Sequence, residues 1–257
     1  MSSLDFGGIR VFLGYILLIV LAEVLTSFVN PSYGLVLHSL ILLSLLVVSS
    51  VTHGEGSVSG FYLSLSLAPL IRIISLSVPL ASFPRYAWYI VVNVPVLVAA
   101  VAMMRVRGIG LKDAGIKFER PLEVGWIALT GIPLGFIDYL ILRPESIAAG
   151  LSLSGVLLLA LGLGLSTGFV EELVFRGLMQ PRAVEVFGER RGLVGVAAVF
   201  ASLHIGWLSP VDLVFVFSVG LFYGFMTLRT GNIIGVTLSH GLTNVVLFLV
   251  APAINLI

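Results

Sequence analysis

Apolar runs of roughly membrane-spanning length recur along almost the whole chain, and no soluble fold can accommodate them. They cover residues 11–29, 33–51, 61–83, 86–104, 124–142, 151–180, 193–206, 212–228 and 233–250. A helix needs about 20 mostly apolar residues to cross the hydrocarbon core of a bilayer. The run at 61–83 is the weakest, because serines, Pro69 and Arg72 interrupt it, and it is expected to kink or to lie at the interface. The pattern predicts an all-α fold, a polytopic transmembrane helix bundle of eight or nine spans. Charge content agrees: 11% of the residues are charged, against about 25% in soluble domains.

Several classes of function fall away at once. A net charge of +1 does not supply the basic patch that nucleic acid demands. The chain has no cysteine, so disulfides and thiolate metal sites are excluded. The first apolar run is too long for a removable signal peptide and lacks its small-residue cleavage pattern, so it reads as a permanent anchor. The partners expected are the lipid bilayer and a membrane-associated peptide or protein.

Lys and Arg set the orientation, because cytoplasmic loops retain them. The longest polar segment, 105–123, holds Arg105, Arg107, Lys112, Lys117 and Arg120, and Arg182, Arg190 and Arg191 mark a second basic loop. Nine spans put Arg10 and Arg229 on the same side, whereas the loops near Pro31, Pro84, Pro144 and Ser209 carry few positive charges. The amino terminus is therefore expected on the cytoplasmic side of the cell membrane. The segment 105–123 also divides the chain into an amino-terminal set of membrane helices with a basic linker, 1–123, and a second part, 124–257.

Polar chemistry concentrates in the second part. Glu171-Glu172-Leu173-Val174-Phe175-Arg176 puts three charges inside an apolar helix, and ionisable groups at bilayer depth usually face a polar interior and have a function there. Glu172 and Arg176 are four apart and can pair on one helical face. Glu171 is turned about 100° from its neighbour, free to face a cavity and act as a working acid or base. Phe200 and His204 share a face of the next run, and His240 and Asn244 share a face of the last. A packed bundle can bring such groups to one internal site, and that site is expected near the cytoplasmic end of the Glu171 helix. Glu23, His38 and Asn93 are scattered singly, so Glu23 and His38 read as packing or interface residues. Ser209-Pro210-Val211-Asp212 is a capped helix start, which makes Asp212 structural. The pairs Gly164 with Gly168, Gly220 with Gly224, and Gly231 with Gly235 have the spacing that lets helices approach closely in lipid.

Glu-Glu-x-x-x-Arg, Phe-x-x-x-His and His-x-x-x-Asn, in this order on hydrophobic helices, resemble the CPBP family of membrane proteins over roughly residues 151–250. That family includes the type-2 CAAX prenyl proteases and relatives linked to bacteriocin self-immunity. The resemblance implies a glutamate-dependent intramembrane protease. In it Glu171 would activate a water shared with His204, and His240 and Asn244 would stabilise the oxyanion. Glu172 and Arg176 would support the site, and Phe200 would shape it. The residue types suit peptide hydrolysis, which needs a base for water, a proton donor for the leaving amine and donors for the oxyanion. No cofactor is implied. One carboxylate and two histidines could also form a zinc site with an open water position, although no His-Glu-x-x-His pattern is present. A noncatalytic scaffold or immunity protein would not depend on the acid. A transporter would more typically show inverted repeats. Only residues 251–257 follow the last run, which leaves no room there for a further span. The expected substrate is accordingly a membrane-embedded or lipid-bearing peptide rather than a prenylated CAAX protein in particular.

Overall fold

The computed structural model describes residues 8–54 and 56–254. Among them there is no strand, and nine helices account for the architecture. Eight are long and apolar enough to cross a membrane: α1 (Ile9–Val29), α2 (Pro31–Val51), α3 (Gly56–Ser77), α4 (Arg85–Arg107), α5 (Pro121–Leu142), α6 (Leu153–Phe187), α8 (Pro210–Thr230) and α9 (Ile234–Ala253). Between α6 and α8 lies the shorter α7 (Glu189–Ser202). Its 14 residues extend about 21 Å at 1.5 Å each, short of a hydrocarbon core of about 30 Å. The expected run at 193–206 is therefore not a full span. The protein is an integral, multi-pass membrane protein.

The outer surface matches a lipid solvent. Leu17, Leu40, Val98, Trp126, Leu158 and Val214 are all more than half exposed, scattered over the flanks of their helices. A soluble monomer would not leave apolar surface of that extent open. Inside, buried side chains from both parts of the chain, from Phe12 to Val236, form one continuous core. The basic segment docks on the turn before α9: Ile233 N–H donates to Gly115 O (2.9 Å), and the Asn232 amide donates to Lys117 O (2.8 Å).

Local chemistry sets the helix boundaries. Asn30 caps α2 by accepting from Ser32 N–H at 2.8 Å, with Pro31 in the first turn. Ser209 caps α8 by accepting from Asp212 N–H at 3.2 Å. The weak third run is one helix interrupted only at Ser66, between Gly56–Leu65 and Leu67–Ser77. It is not interfacial, however, since Phe61, Tyr62, Leu65, Ala68 and Pro69 are buried within the bundle.

Glycine controls how closely α9 is held. A Cβ on Gly131 or Gly135 of α5 would fall 2.1 Å from Ser239 O or 2.6 Å from Thr243 O. On the other side, a Cβ on Gly168 of α6 would sit 2.8 Å from Thr237 O, and one on Gly241 would sit 2.9 Å from Gly164 Cα. Small residues on both neighbours thus let three backbones pack against one another, as expected for Gly164 with Gly168. Gly231 differs from that expectation. It lies outside any helix, at φ +63°, as the left-handed cap that ends α8.

Candidate functional site

The charged motif sits in a stretch of α6 where the helix widens to π turns, over Gly164–Phe169 and Leu173–Met179. Such widenings occur often at functional sites. The two glutamates diverge as expected. The Glu172 side chain is fully buried, and its Oε1 accepts from Arg176 Nη1 at 3.0 Å. Glu171 keeps 22% of its side-chain surface exposed and, among the described residues, accepts no hydrogen bond from the protein.

Arg176 does more than pair with Glu172. Nη2 donates to Gly220 O at 3.2 Å, and the guanidinium lies over the Phe200 ring, 4.4 Å from its centre. One turn further on, the Gln180 amide donates to Gly224 O at 2.9 Å. Glu172, Arg176 and Gln180 form a polar ladder on one face of α6, docked on two carbonyls of α8 that are themselves four residues apart. Sequence reading missed Gln180. The signal was available as the continued four-residue spacing opposite Gly220 and Gly224.

His240 from α9 reaches both acids. Its Nδ1 is 2.8 Å from Glu172 Oε1, and its Nε2 is 3.9 Å from Glu171 Oε2. With a carboxylate as acceptor, Nδ1 carries the proton and Nε2 is turned toward Glu171. Tyr223 of α8 closes the other side, with its hydroxyl 3.0 Å from Ser239 Oγ and its ring 5.9 Å from that of His240. Asn244, one turn beyond His240, donates to Thr167 Oγ1 at 2.8 Å, and the Thr167 hydroxyl donates to Leu163 O at 2.7 Å. Thr167 is four residues before Glu171 and holds one hydrogen of the Asn244 amide, and among the described residues no acceptor takes the other.

His204 is not on a helix face as expected. The α7 helix ends at Ser202, and His204 follows in a turn, its Nδ1 3.0 Å from Phe200 O and its ring 5.0 Å from the Phe200 ring. A carbonyl accepts only, so Nδ1 is the donor. In the neutral ring Nε2 then presents a lone pair.

A second group supports this turn. Arg72 Nη2 donates to Leu203 O at 2.6 Å while its Nε donates to Glu23 Oε1 at 2.7 Å, and His38 Nε2 lies 3.2 Å from the same oxygen. Glu23 and His38 are fully buried and clustered, not single packing or interface residues. Three separate helices supply the members, so linear spacing gave no sign of it.

Glu171, His204, His240 and Asn244 line one cavity of about 90 Å³, together with Phe200 and Thr167. Asp138 of α5 and Asp212 of α8 line it too. Asp212 does belong to the cap of α8, but its side chain belongs to the cavity wall. Tyr89, Leu142, Trp207 and Phe248 are also part of the wall. These lie near the starts of α4 and α8 and the ends of α5 and α9, beside the loops poor in positive charge. The basic segments 105–120 and 182–191 lie at the other ends of their helices. The lining thus includes residues at the ends remote from the basic loops as well as residues near the middle of α8 and α9. Glu171 itself lies near the middle of α6, which continues to Phe187. Among the described residues, no three His, Cys, Asp or Glu side chains are arranged to hold a metal ion.

Comparison with known proteins adds one finding. Residues 153–246 match the family model of the type II CAAX prenyl endopeptidase Rce1-like proteins, in line with the family that the three motifs resemble. The match takes in Glu171, Glu172, Arg176, Phe200, His204, His240 and Asn244. No curated protein and no solved structure matches the chain.

Proposed function

We propose, from the premise of an Rce1-like segment, that the protein is an intramembrane endopeptidase that hydrolyses a membrane-associated peptide with water activated by Glu171. One observation carries the reading: Glu171, His204, His240 and Asn244, distant in sequence, line one cavity. Glu171, unlike its fully buried neighbour Glu172, is open to that cavity, as a base for water has to be. His204, with its Nε2 lone pair, accepts a hydrogen bond from the same water. Attack on the peptide carbonyl gives a tetrahedral oxyanion, which Asn244 Nδ2 and, in the doubly protonated ring, His240 Nε2 stabilise. Glu171 then returns the proton to the leaving amine as the C–N bond breaks.

Glu172 and Arg176 act through His240 and Phe200, so they are positioning residues. If the basic loops face the cytoplasm, the cavity faces the other side of the cell membrane, and the substrate enters from there.

The reading is tested with purified protein in lipid nanodiscs and a lipid-anchored fluorogenic peptide. Cleavage is expected to survive exhaustive chelation, with no stoichiometric metal in the active protein. One equivalent of zinc, lost together with activity and restored with it, would replace this mechanism by a metal-dependent one.

The amide gives a graded check. Asn244→Ala is expected to lower turnover by about 10²–10³, the usual cost of one oxyanion donor. Thr167→Val keeps that donor but unties it, so its loss of turnover is expected to be clearly smaller. Equal losses would mean that Asn244 serves packing instead.

A further inference from the structure

The end of the cavity formed by Asp138 and Asp212 has no role in the chemistry above, and its composition is lopsided. The walls carry three carboxyl groups, Asp138, Glu171 and Asp212, and no Lys or Arg. The side chains of Asp138 and Asp212 face each other across α5 and α8, and both residues are buried, at 7% and 1% exposure. The two carboxyls are hydrogen-bonded to each other, and among the described residues no other group donates to either Asp212 oxygen or to Asp138 Oδ1.

The helix-cap explanation does not account for this. An acid in the third position of a helix ordinarily reaches back to the free N–H at the cap. Asp212 lends only its backbone N–H to Ser209 and leaves its carboxyl in the cavity wall. The nearest cationic candidate, His240, is already bonded to Glu172. Two carboxyls bond to each other only with a proton between them, and a cation can take that proton's place. The cavity around them is walled by aromatic rings, among them Phe215, Trp207 and Phe248. Rings of this kind cover the methylene stem of a long basic side chain and attract its charged head.

We propose that Asp138 and Asp212 form a cation subsite of the catalytic cavity, taking the ammonium or guanidinium of a Lys or Arg near the scissile bond. The inference rests on reading the cavity as the peptide site, and it narrows the substrate class to peptides with a basic residue close to the cut. No bond is made or broken at the pair. It contributes charge complementarity and fixes the register of the peptide relative to Glu171.

The test uses full-length Glu171→Gln protein in nanodiscs and lipid-anchored peptides that differ only in Lys or norleucine at one scanned position. Binding is followed by fluorescence anisotropy. At one position the Lys peptide is expected to bind roughly 30-fold or more tightly than its norleucine twin, the scale for a buried charge contact. In Asp212→Asn, and separately in Asp138→Asn, that difference is expected to collapse. Two variants are used so that a folding defect in one, seen as an early thermal transition, does not decide the matter.

Equal binding of both peptides, binding of neither, or equal weakening of both by the variants would overturn the subsite. Charge-dependent binding without any cleavage by the wild-type protein would leave the subsite standing and remove the protease reading. Cleavage indifferent to the basic residue would do the reverse.

Discussion

Glu171→Gln is expected to abolish peptide cleavage while leaving the protein folded in the membrane. The substitution keeps the size and the hydrogen-bonding oxygen of the side chain but removes the base, and a positioned general base typically contributes about 10²–10⁴ in rate. A loss at the upper end is expected, since the same group must also return the proton to the leaving amine. Folding should be spared because Glu171 accepts no hydrogen bond among the described residues, and its contact with His240 Nε2 is 3.9 Å long. The check is turnover of the lipid-anchored peptide in nanodiscs, with thermal unfolding of the same preparation. Residual cleavage within about tenfold of wild type, below the least a general base contributes, would assign water activation to another group.

Glu172→Gln is expected to fail differently, losing stability and activity together. Glu172 Oε1 accepts from both Arg176 and His240, and among the described residues it is the only carboxylate paired with Arg176, which is 1% exposed. Removing one member of a buried ion pair strands the other, at a cost of about 3–5 kcal/mol. The midpoint of thermal unfolding should fall accordingly. Glu172→Gln combined with Arg176→Met should recover much of that stability, because no unpaired charge is left inside. It should not recover activity, because His240 Nδ1 still lacks its anionic acceptor and Phe200 loses the guanidinium stacked on it. Wild-type stability in the single variant would show that the pair is not a brace.

The different fates of two adjacent glutamates follow from helical geometry alone, which is why they were legible from the sequence. The 3.6-residue period fixes which side chains of one helix share a face. It foretold the pairing of Glu172 with Arg176 at 3.0 Å and the divergence of Glu171. The same period gave His240 and Asn244 a common face, and bilayer thickness with residue polarity gave the membrane helices. Each of these is a property of a single segment in lipid.

Relations between segments were decided by the tertiary structure. Gly131 and Gly135 on one side of α9, and Gly164 and Gly168 on the other, determine how near the backbones come, and so whether Asn244 meets Thr167 and His240 meets both acids. The early end of α7 took His204 off a helix face and placed it in a turn tied down by Arg72 and Glu23 from the first part of the chain. The meeting of Asp138 with Asp212 is of the same kind, since the two lie on different helices and neither run of sequence refers to the other. Lipid requires buried polar groups to find partners within the protein, but it does not specify which. That choice depends on helix lengths and on which small-residue faces meet, and periodicity along one strand of sequence carries no record of either.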